Sequence, residues 1–298
     1  MKIFKRRILV ALLALLVSLC VCVQANAEAV YVVNGYAYNI LNNSSIAICG
    51  WEGESTDLVI PESIVGRNVV SVASRALKDN TELTSVDFSN ANYISTIEME
   101  AFYGCTGLTE VDLPRTVTAM GDSVFQNCTS LQTVNIHATM TSIPEMCFYN
   151  CTSLTEVTIP PSVTEIRKFA FGNCTSLDYI EIPETVTNIV SSAFRNDNVT
   201  IGCYFNSYAY QFAKDNNIPY KLLDKFLLGD ANGDGSVNIN DVTTIQRYLA
   251  ELETLEGIYL HAADANQDGT VDIADATVIQ MYLAEYAMEY PIGEVMTQ

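Results

Sequence analysis

Basic residues are scarce in this 298-residue sequence. Lys and Arg number 15 against 35 Asp and Glu, which gives a formal net charge of −20 at pH 7. Four of the basic residues fall within the first seven positions, and removal of that segment would take the charge to −24. So acidic a chain repels the phosphates of nucleic acids and of anionic membranes. We therefore expect neither as a partner.

Histidine is also scarce, since the chain contains only His137 and His261. His137 lies 23 residues from both Pro114 and Pro160, at an equivalent position, and His261 lies between two similar Asp-rich segments, 230–241 and 264–275. Nucleophile-elbow and zinc-protease motifs, Gly-x-Ser-x-Gly and His-Glu-x-x-His, do not occur. A carboxylate pair for glycoside hydrolysis depends on separations that a sequence does not give. We expect a protein that is not an enzyme.

Long apolar runs are absent after the N-terminus. The one such run, from Ile8 to Val23, follows a basic stretch and precedes Ala25-Asn-Ala27, a small-residue cleavage pattern. This arrangement predicts a secretory signal peptide over residues 1–27 and a secreted mature chain that starts near Glu28. Cys20 raises the alternative of a lipoprotein, although the large residue Leu19 precedes it. No direct membrane insertion is expected after signal cleavage.

Residues 230–285 hold the same loop-plus-helix unit twice, 34 residues apart. Calcium takes six to eight oxygen ligands, and a twelve-residue loop supplies them from positions 1, 3, 5, 7, 9 and 12, with Gly at position 6. Both loops fit this pattern, so the sequence predicts two Ca²⁺ ions. The candidate ligands are Asp230, Asn232, Asp234, Ser236, Asn238 and Asp241 in the first loop, and Asp264, Asn266, Asp268, Thr270, Asp272 and Asp275 in the second.

Apolar residues at helical spacing follow each loop and predict one helix per loop. They are Val242, Ile245, Tyr248 and Leu249 in the first repeat, and Ala276, Ile279, Tyr282 and Leu283 in the second. No helix of EF-hand length is predicted before either loop, and the last ligand is Asp where an EF-hand normally has Glu. The unit resembles a type I dockerin, the module that plugs secreted proteins into cohesin domains of a cellulosome scaffold. The resemblance covers residues 226–290 and leaves 291–298 as a C-terminal tail.

The dockerin resemblance also implies which residues contact cohesin. They are the pair before the last calcium ligand and a pair on the next helical turn: Ile239, Asn240, Gln246 and Arg247 in the first repeat, and Ile273, Ala274, Gln280 and Met281 in the second. The hydroxyl pair and the Lys-Arg pair common in this family are absent, which leaves the cohesin class open. Because Arg247 corresponds to Met281, the two faces are only partly interchangeable.

Leucines recur every 23 residues in the rest of the chain, at positions 108, 131, 154 and 177, after a longer copy that starts at Leu83. Such a period predicts a solenoid, because one coil buries its apolar side only when neighbours stack on it. Within a repeat, apolar alternation predicts a short strand, and Ala-Phe-x-x-Cys predicts a turn or short helical stretch on another wall. The pattern resembles the BspA-like leucine-rich repeats of bacterial surface and secreted proteins.

The repeat resemblance assigns residues 28–223 to a leucine-rich-repeat solenoid with caps. The segment from Tyr31 to Ile48 is the predicted N-terminal cap, and the segment from Cys203 to Leu222 is the predicted C-terminal cap. The link from Leu223 to Leu228 has no Pro-, Ser- or Gly-rich stretch, so the dockerin has a short tether. The predicted fold class is α/β, a leucine-rich-repeat solenoid with 23-residue coils followed by a small all-α calcium-binding dockerin.

Cysteines in the repeats favour packing over cross-linking. One column of successive coils contains a Cys in each, which predicts a ladder of small buried side chains. Cys49 and Cys203 lie near opposite ends of the stack, several layers of about 4.8 Å apart, beyond the reach of a disulfide. We expect free thiols and no zinc. The ladder consists of Cys105, Cys128, Cys151 and Cys174.

Together these features predict a secreted, non-catalytic protein held at the cell surface through a cellulosome scaffold. The dockerin would bind a scaffold cohesin in a calcium-dependent way, and the repeats would bind a protein, cell-surface or carbohydrate ligand. Two alternatives stay open: a polysaccharide-degrading or carbohydrate-binding component of the same complex, and a surface adhesin. The outward positions Glu110, Thr133, Glu156 and Tyr179 are the first candidates for ligand contact. Calcium removal is expected to unfold 226–290 and leave the solenoid intact.

Overall fold

The computed structural model describes residues 29–195 and 198–297. The predicted signal peptide over residues 1–27, with Cys20, lies outside the described residues. The chain divides after Val199 into two compact units.

The first unit opens with an antiparallel meander of three strands: β1 Val30–Val33, β2 Tyr36–Ile40 and β3 Ser45–Trp51. Strand β3 then pairs in parallel with β6, which spans Arg67–Val72. The meander thus covers the segment predicted to be the N-terminal cap. Its last strand continues directly into the parallel ladder of the coils.

Each following coil contributes one short strand to each of two walls, where strands of neighbouring coils pair in parallel. On the second wall the pairing is interrupted between Ala119–Met120 and Ser142–Ile143. Alternation within a strand buries every second residue, so Val111 is buried while Glu110 is exposed. Val134 pairs in register with both Val111 and Val157 of the adjacent coils. The remaining strands of this unit are β4 Asp57–Val59, β5 Ser63–Ile64, β7 Ser85–Asp87, β8 Thr96–Ile97, β9 Glu110–Leu113, β10 Ala119–Met120, β11 Thr133–Ile136, β12 Ser142–Ile143, β13 Glu156–Thr158, β14 Glu165–Ile166, β15 Tyr179–Glu181 and β16 Asn188–Ile189.

The third wall of each coil is a turn, the first of the two structures predicted for the Ala-Phe-x-x-Cys segment. Its phenylalanines stack at ring-centroid separations of 5.3 to 5.6 Å. Beside them, the thiols of the cysteine ladder each donate to a backbone carbonyl oxygen at 3.1 Å. The ladder therefore fills the core and satisfies buried carbonyls. The stacked rings belong to Phe102, Phe125, Phe148, Phe171 and Phe194.

The second unit begins with the segment predicted to be the C-terminal cap. Strands β17 Thr200–Cys203 and β18 Tyr220–Leu222 run parallel and are connected through helix α1, Tyr208–Asp215. The hydroxyl of Ser207 accepts from the N–H of Tyr210 and so caps the start of α1. Ala209, Tyr210, Phe212 and Ala213 form the buried face of this helix.

The rest of the second unit is a small helical module closed by a two-stranded ribbon. Its elements are β19 Lys225–Leu227, α2 Ile239–Leu249, α3 Ile258–Ala263, α4 Ile273–Leu283 and β20 Val295–Thr297, and β19 pairs antiparallel with β20. Val242, Ile245, Ala276 and Ile279 are buried between the helices, as their spacing predicts. By contrast Leu249, Tyr282 and Leu283 are exposed, because the last helical turns extend past the core.

Residues 291–297 differ from the tail that the sequence suggests. Ile292 is buried in the core of the module, and the N–H of Gly293 donates to the carbonyl of Leu228 at 2.9 Å. Val295–Thr297 forms a strand that pairs with Lys225–Leu227, so the first and last strands of the module are hydrogen-bonded to each other. A short strand with so distant a partner has no periodic signal in sequence.

Candidate calcium-binding site and docking faces

Backbone amides organise the carboxylates of the first loop. The two oxygens of Asp230 accept from the N–H groups of Asp234 at 3.1 Å and Gly235 at 2.8 Å. Asp241 is fully buried, and its two oxygens accept from the N–H groups of Asn232 at 3.1 Å and Asn238 at 2.7 Å. The first and last carboxylates of the loop are therefore fixed by the loop's own backbone.

The second loop repeats this network. Asp264 accepts from the N–H of Asp268 at 3.1 Å and of Gly269 at 2.9 Å. Asp275 is also fully buried and accepts from the N–H of Asn266 at 3.0 Å and of Asp272 at 2.8 Å. Because each distance matches its counterpart in the first loop so closely, the two loops form equivalent sites.

The glycine at position 6 is required by backbone conformation. Gly235 has a φ of +85° and Gly269 a φ of +91°, a region that L side chains rarely adopt. A Cβ atom at either position would meet nothing within 4 Å, so space is not the constraint. A side chain there would strain the turn that brings the loop's oxygens together.

Each loop passes directly into a helix through a capping box. Asn238 caps α2 by accepting from the N–H of Asn240 at 2.8 Å, and Asp272 caps α4 by accepting from the N–H of Ala274 at 2.6 Å. The last carboxylate of each loop, at the third helical position, accepts in return from the cap N–H. The positive end of each helix dipole therefore lies beside the carboxylates.

Electrostatics distinguish the buried carboxylates from the exposed ones. Burial raises the pKa of Asp241 and of Asp275 above the usual value, and the nearby loop carboxylates raise it further. Hydrogen bonds from Ser236 and Thr270 lower the pKa of Asp234 and Asp268. No Lys, Arg or His pairs with these carboxylates within the described part of the chain. Buried negative charge without a partner is costly until a cation neutralises it.

The donor chemistry of the loops fits calcium. No group of three or more His, Cys, Asp and Glu side chains that could by itself hold a metal ion occurs in residues 29–195 or 198–297. Each loop instead offers a mixed oxygen set, in which Asn side chains and backbone carbonyls accompany the carboxylates. Calcium, a hard cation, prefers such oxygen sets. The twelve predicted ligands are brought together as two sets of six, and their role in binding stays a prediction.

The eight residues predicted to contact cohesin are all exposed. Ile239 and Ile273 are 58% and 61% exposed at equivalent positions, the first residues of α2 and α4. Arg247 is held by Glu253, with 3.0 Å between Nε and Oε2, whereas its counterpart Met281 is a 40% exposed apolar side chain. The two faces thus share an apolar start and differ in charge about two helical turns later. Their contact with cohesin stays a prediction.

Family models match both parts of the chain. Residues 70–200 match the BspA type leucine rich repeat region in six copies, and residues 228–284 match the dockerin type I domain. The fold and the duplicated loops thus define a solenoid joined to a calcium-loop module. In family terms, the chain carries a BspA-type leucine-rich repeat region followed by a type I dockerin domain. Both resemblances and the fold class predicted from sequence are confirmed.

Solved structures give three similar solenoids. A leucine-rich repeat protein from Eubacterium ventriosum ATCC 27560 is 25% identical over 58% of this chain and 51% of that one, with a TM-score of 0.45. The T. pallidum leucine rich repeat protein is 20% identical, with coverages of 65% and 98% and a TM-score of 0.49. A leucine rich cell surface protein from Faecalibacterium prausnitzii A2-165 is 22% identical, with coverages of 59% and 56% and a TM-score of 0.39. The chain spans about half the length of the first of these. No curated protein sequence matches it.

The two modules define the broad class of function. Type I dockerins are calcium binders, and the leucine-rich repeats suggest a protein-interaction domain. Both indicate an extracellular or cell-surface protein of cellulosome type. None of the helices described is long and apolar enough to cross a membrane.

Two features of the site were not predicted from the sequence. Asn238 and Asp272 cap helices as well as occupying position 9 of the loops, and an S/T/D/N residue three positions before an acidic one is a signal that predicts such a cap. The contact between Gly233 and Tyr259 at the edge of the first loop was not predicted either. The available signal was the difference between the two loops at position 4, which is Gly in the first and Gln in the second.

Proposed function

We propose that the chain is a secreted, non-catalytic cellulosome component whose dockerin binds a scaffold cohesin only when two Ca²⁺ ions fill its loops. The duplicated network around Asp241 and Asp275 carries this proposal. These two buried carboxylates, which have no Lys, Arg or His partner within residues 29–195 and 198–297, lie at the start of the two helices that present the proposed docking faces. Neutralisation of these charges by calcium would stabilise the same helix ends that contact the partner.

The ligands proposed for calcium are the six oxygen-bearing residues of each loop. Because the two networks agree closely in distance, both loops should bind, and the expected stoichiometry is two ions per chain. Calorimetric titration of the metal-free mature chain with Ca²⁺ measures this number directly. Asp241→Asn and Asp275→Asn are matched variants, each expected to remove one ion. An unchanged stoichiometry in both variants would refute the ligand assignment.

Each docking face is proposed to be an exposed patch formed by the start of a dockerin helix and by residues about two turns further along it. The first face contains Ile239 and Arg247, and the second contains Ile273 and Met281. A cohesin that uses the first face should lose affinity with Ile239→Asp, and one that uses the second with Ile273→Asp. Since the residues are exposed, neither variant should alter the fold. Equal binding by the wild type, both variants and their combination would exclude these faces.

For the solenoid we propose a binding role for its first ladder of strands. Four successive coils contribute one residue each: Glu110, Glu156 and Tyr179 are exposed, and Thr133 is half-buried between Glu110 and Glu156. They form one row because every strand places the same register position outward. The expected ligand is a protein, a cell surface or a carbohydrate. Loss of ligand capture by alanine variants of this row, with cohesin binding retained, would support the assignment.

A further inference from the structure

The second compact unit contains the C-terminal cap and the dockerin together, and a set of contacts joins them. The rings of Phe205 and Tyr259 meet edge to face, with centroids 5.6 Å apart and planes at 88°. Lys214 of α1 lies 3.4 Å from a carboxylate oxygen of Glu256, just before α3. The N–H of Phe205 donates to Asp224 at 2.6 Å. An aromatic and an ionic contact therefore connect cap and dockerin, and a hydrogen bond connects the cap to the link between them.

Two glycines make room for the aromatic rings. A Cβ atom on Gly257 would lie 2.0 Å from Cδ2 of Phe205, and one on Gly233 would lie 2.2 Å from Cε1 of Tyr259. Real Cβ atoms do not approach so closely, so any side chain at either position would displace the ring. A continuous line of contacts thus runs from the cap, through Phe205 and Tyr259, to the first calcium loop.

Backbone conformation does not explain Gly233. It occupies position 4 of the first loop with a φ of +72°, and position 4 of the second loop is Gln267 with a φ of +57°. The same left-handed turn therefore accepts a long side chain in the second loop. What differs is the ring of Tyr259, which packs against the first loop at this position. The absence of a side chain at 233 is explained by the contact with Tyr259.

We propose that Gly233, Gly257 and Tyr259 form a docking surface for the chain's own C-terminal cap, and that calcium in the first loop keeps this surface in shape. This inference rests on the calcium binding proposed above. Gly233 lies between two predicted ligands, Asn232 and Asp234, so loosening of the loop after calcium loss moves the backbone against Tyr259. The cap around α1 then loses order together with the dockerin. Calcium removal is thus expected to reach beyond residues 226–290.

Hydrogen exchange of the whole mature chain, followed by mass spectrometry in calcium and in chelator, tests this coupling. At a free calcium concentration of about 100 times Kd, ion binding in the first loop should raise the protection factors of the coupled region by up to about 100-fold. The proposal predicts that Tyr208–Asp215 loses protection in chelator together with Ile239–Leu249, while the coils of 70–190 stay unchanged. If calcium raises the protection of Ile239–Leu249 but leaves that of Tyr208–Asp215 unchanged, the coupling to the cap is refuted and the proposed calcium binding is not. No calcium effect on either region overturns the proposed calcium binding as well.

Three variants separate the coupling from general destabilisation. Gly233→Gln gives the first loop the residue of the second, so the backbone accommodates it, but its side chain displaces Tyr259. Tyr259→Ala removes the ring without a clash. Both are expected to lower the protection of Tyr208–Asp215 in calcium by at least about tenfold, which is the effect of about 1.4 kcal/mol.

The matched control is Tyr286→Ala, since Tyr286 is a 64% exposed tyrosine of the same module. It should leave the protection of Tyr208–Asp215 at the wild-type level. If Gly233→Gln and Tyr259→Ala also leave it at that level, the docking surface does not exist. If the control lowers protection as much as Tyr259→Ala does, the effect is general destabilisation and the proposal is wrong.

Discussion

Replacement of Asp241 by Asn removes one charge from the first loop and preserves the shape of the side chain. The carboxylate is fully buried and accepts from two backbone N–H groups, those of Asn232 and Asn238. An amide has only one oxygen, so one of these N–H groups would face an NH₂ group. The variant therefore loses one hydrogen bond as well as a calcium ligand.

The magnitude of the effect depends on calcium. A hydrogen bond to a charged acceptor contributes about 1.5–3 kcal/mol, and this loss applies with or without the ion. In chelator part of it is offset, because burial of the Asp241 charge is unfavourable and raises its pKa. In calcium at about 100 times Kd, a lost site removes about 2.7 kcal/mol more. We expect Asp241→Asn to destabilise the module by about 4–6 kcal/mol in calcium and by under about 3 kcal/mol in chelator.

Two spectroscopic signals make this measurable in the intact chain. All helices within residues 29–195 and 198–297 belong to the second unit, so the helical circular dichroism signal reports that unit. The single tryptophan, Trp51, lies in the first unit and reports it by fluorescence. Urea unfolding should therefore show a calcium-dependent shift for the helical signal only. Asp215→Asn, an exposed Asp outside the loops, is the charge-matched control. Equal destabilisation by Asp241→Asn in calcium and in chelator would refute the reasoning.

Two further predictions concern the solenoid. Phe148→Ala removes a fully buried ring from the stack and should lower the free energy of unfolding of the solenoid by about 3–5 kcal/mol. Urea unfolding followed by Trp51 fluorescence measures this loss, and a value under about 1 kcal/mol would contradict the packing account. Hydrogen bonds from Arg75 and then Lys78 lower the pKa of Glu100 to about 2. Its ionised form therefore stabilises the fold above about pH 4.3, and this contribution is lost as the pH falls toward 2. Because the ion pairs are near the surface, we expect under about 1 kcal/mol, and Glu100→Gln should flatten the fall in stability over this range; an unchanged slope would disprove it.

Periodic features could be predicted from sequence because each residue of the pattern has one physical role. The 23-residue spacing predicted the solenoid, and Val111, Phe148 and Cys151 are buried where the alternation puts apolar residues. In the loops, spacing alone predicts Asp230 and Asp241 as ligands, and both carboxylates accept hydrogen bonds from the backbone of their own loop. Their role as calcium ligands stays a prediction. In both cases the signal is local and repeated, which separates it from chance.

Features that depend on a single distant contact could not be predicted. Val295–Thr297 pairs with Lys225–Leu227 across the whole length of the dockerin, and no local pattern identifies either partner. The contact of Phe205 with Tyr259 is likewise formed once and has no repeat to reveal it. Exposure of Leu249 was missed because helical spacing gives a face but does not say where the core beneath it ends.

The central claim is that calcium-filled loops present a surface for a cohesin. Its most direct test is calorimetric titration of the mature chain with a panel of cohesins, once in calcium and once in excess chelator. We predict saturable binding to at least one cohesin in calcium, with no detectable heat in chelator. Binding that persists unchanged in chelator, or the absence of binding to every cohesin while two calcium ions bind, would contradict it.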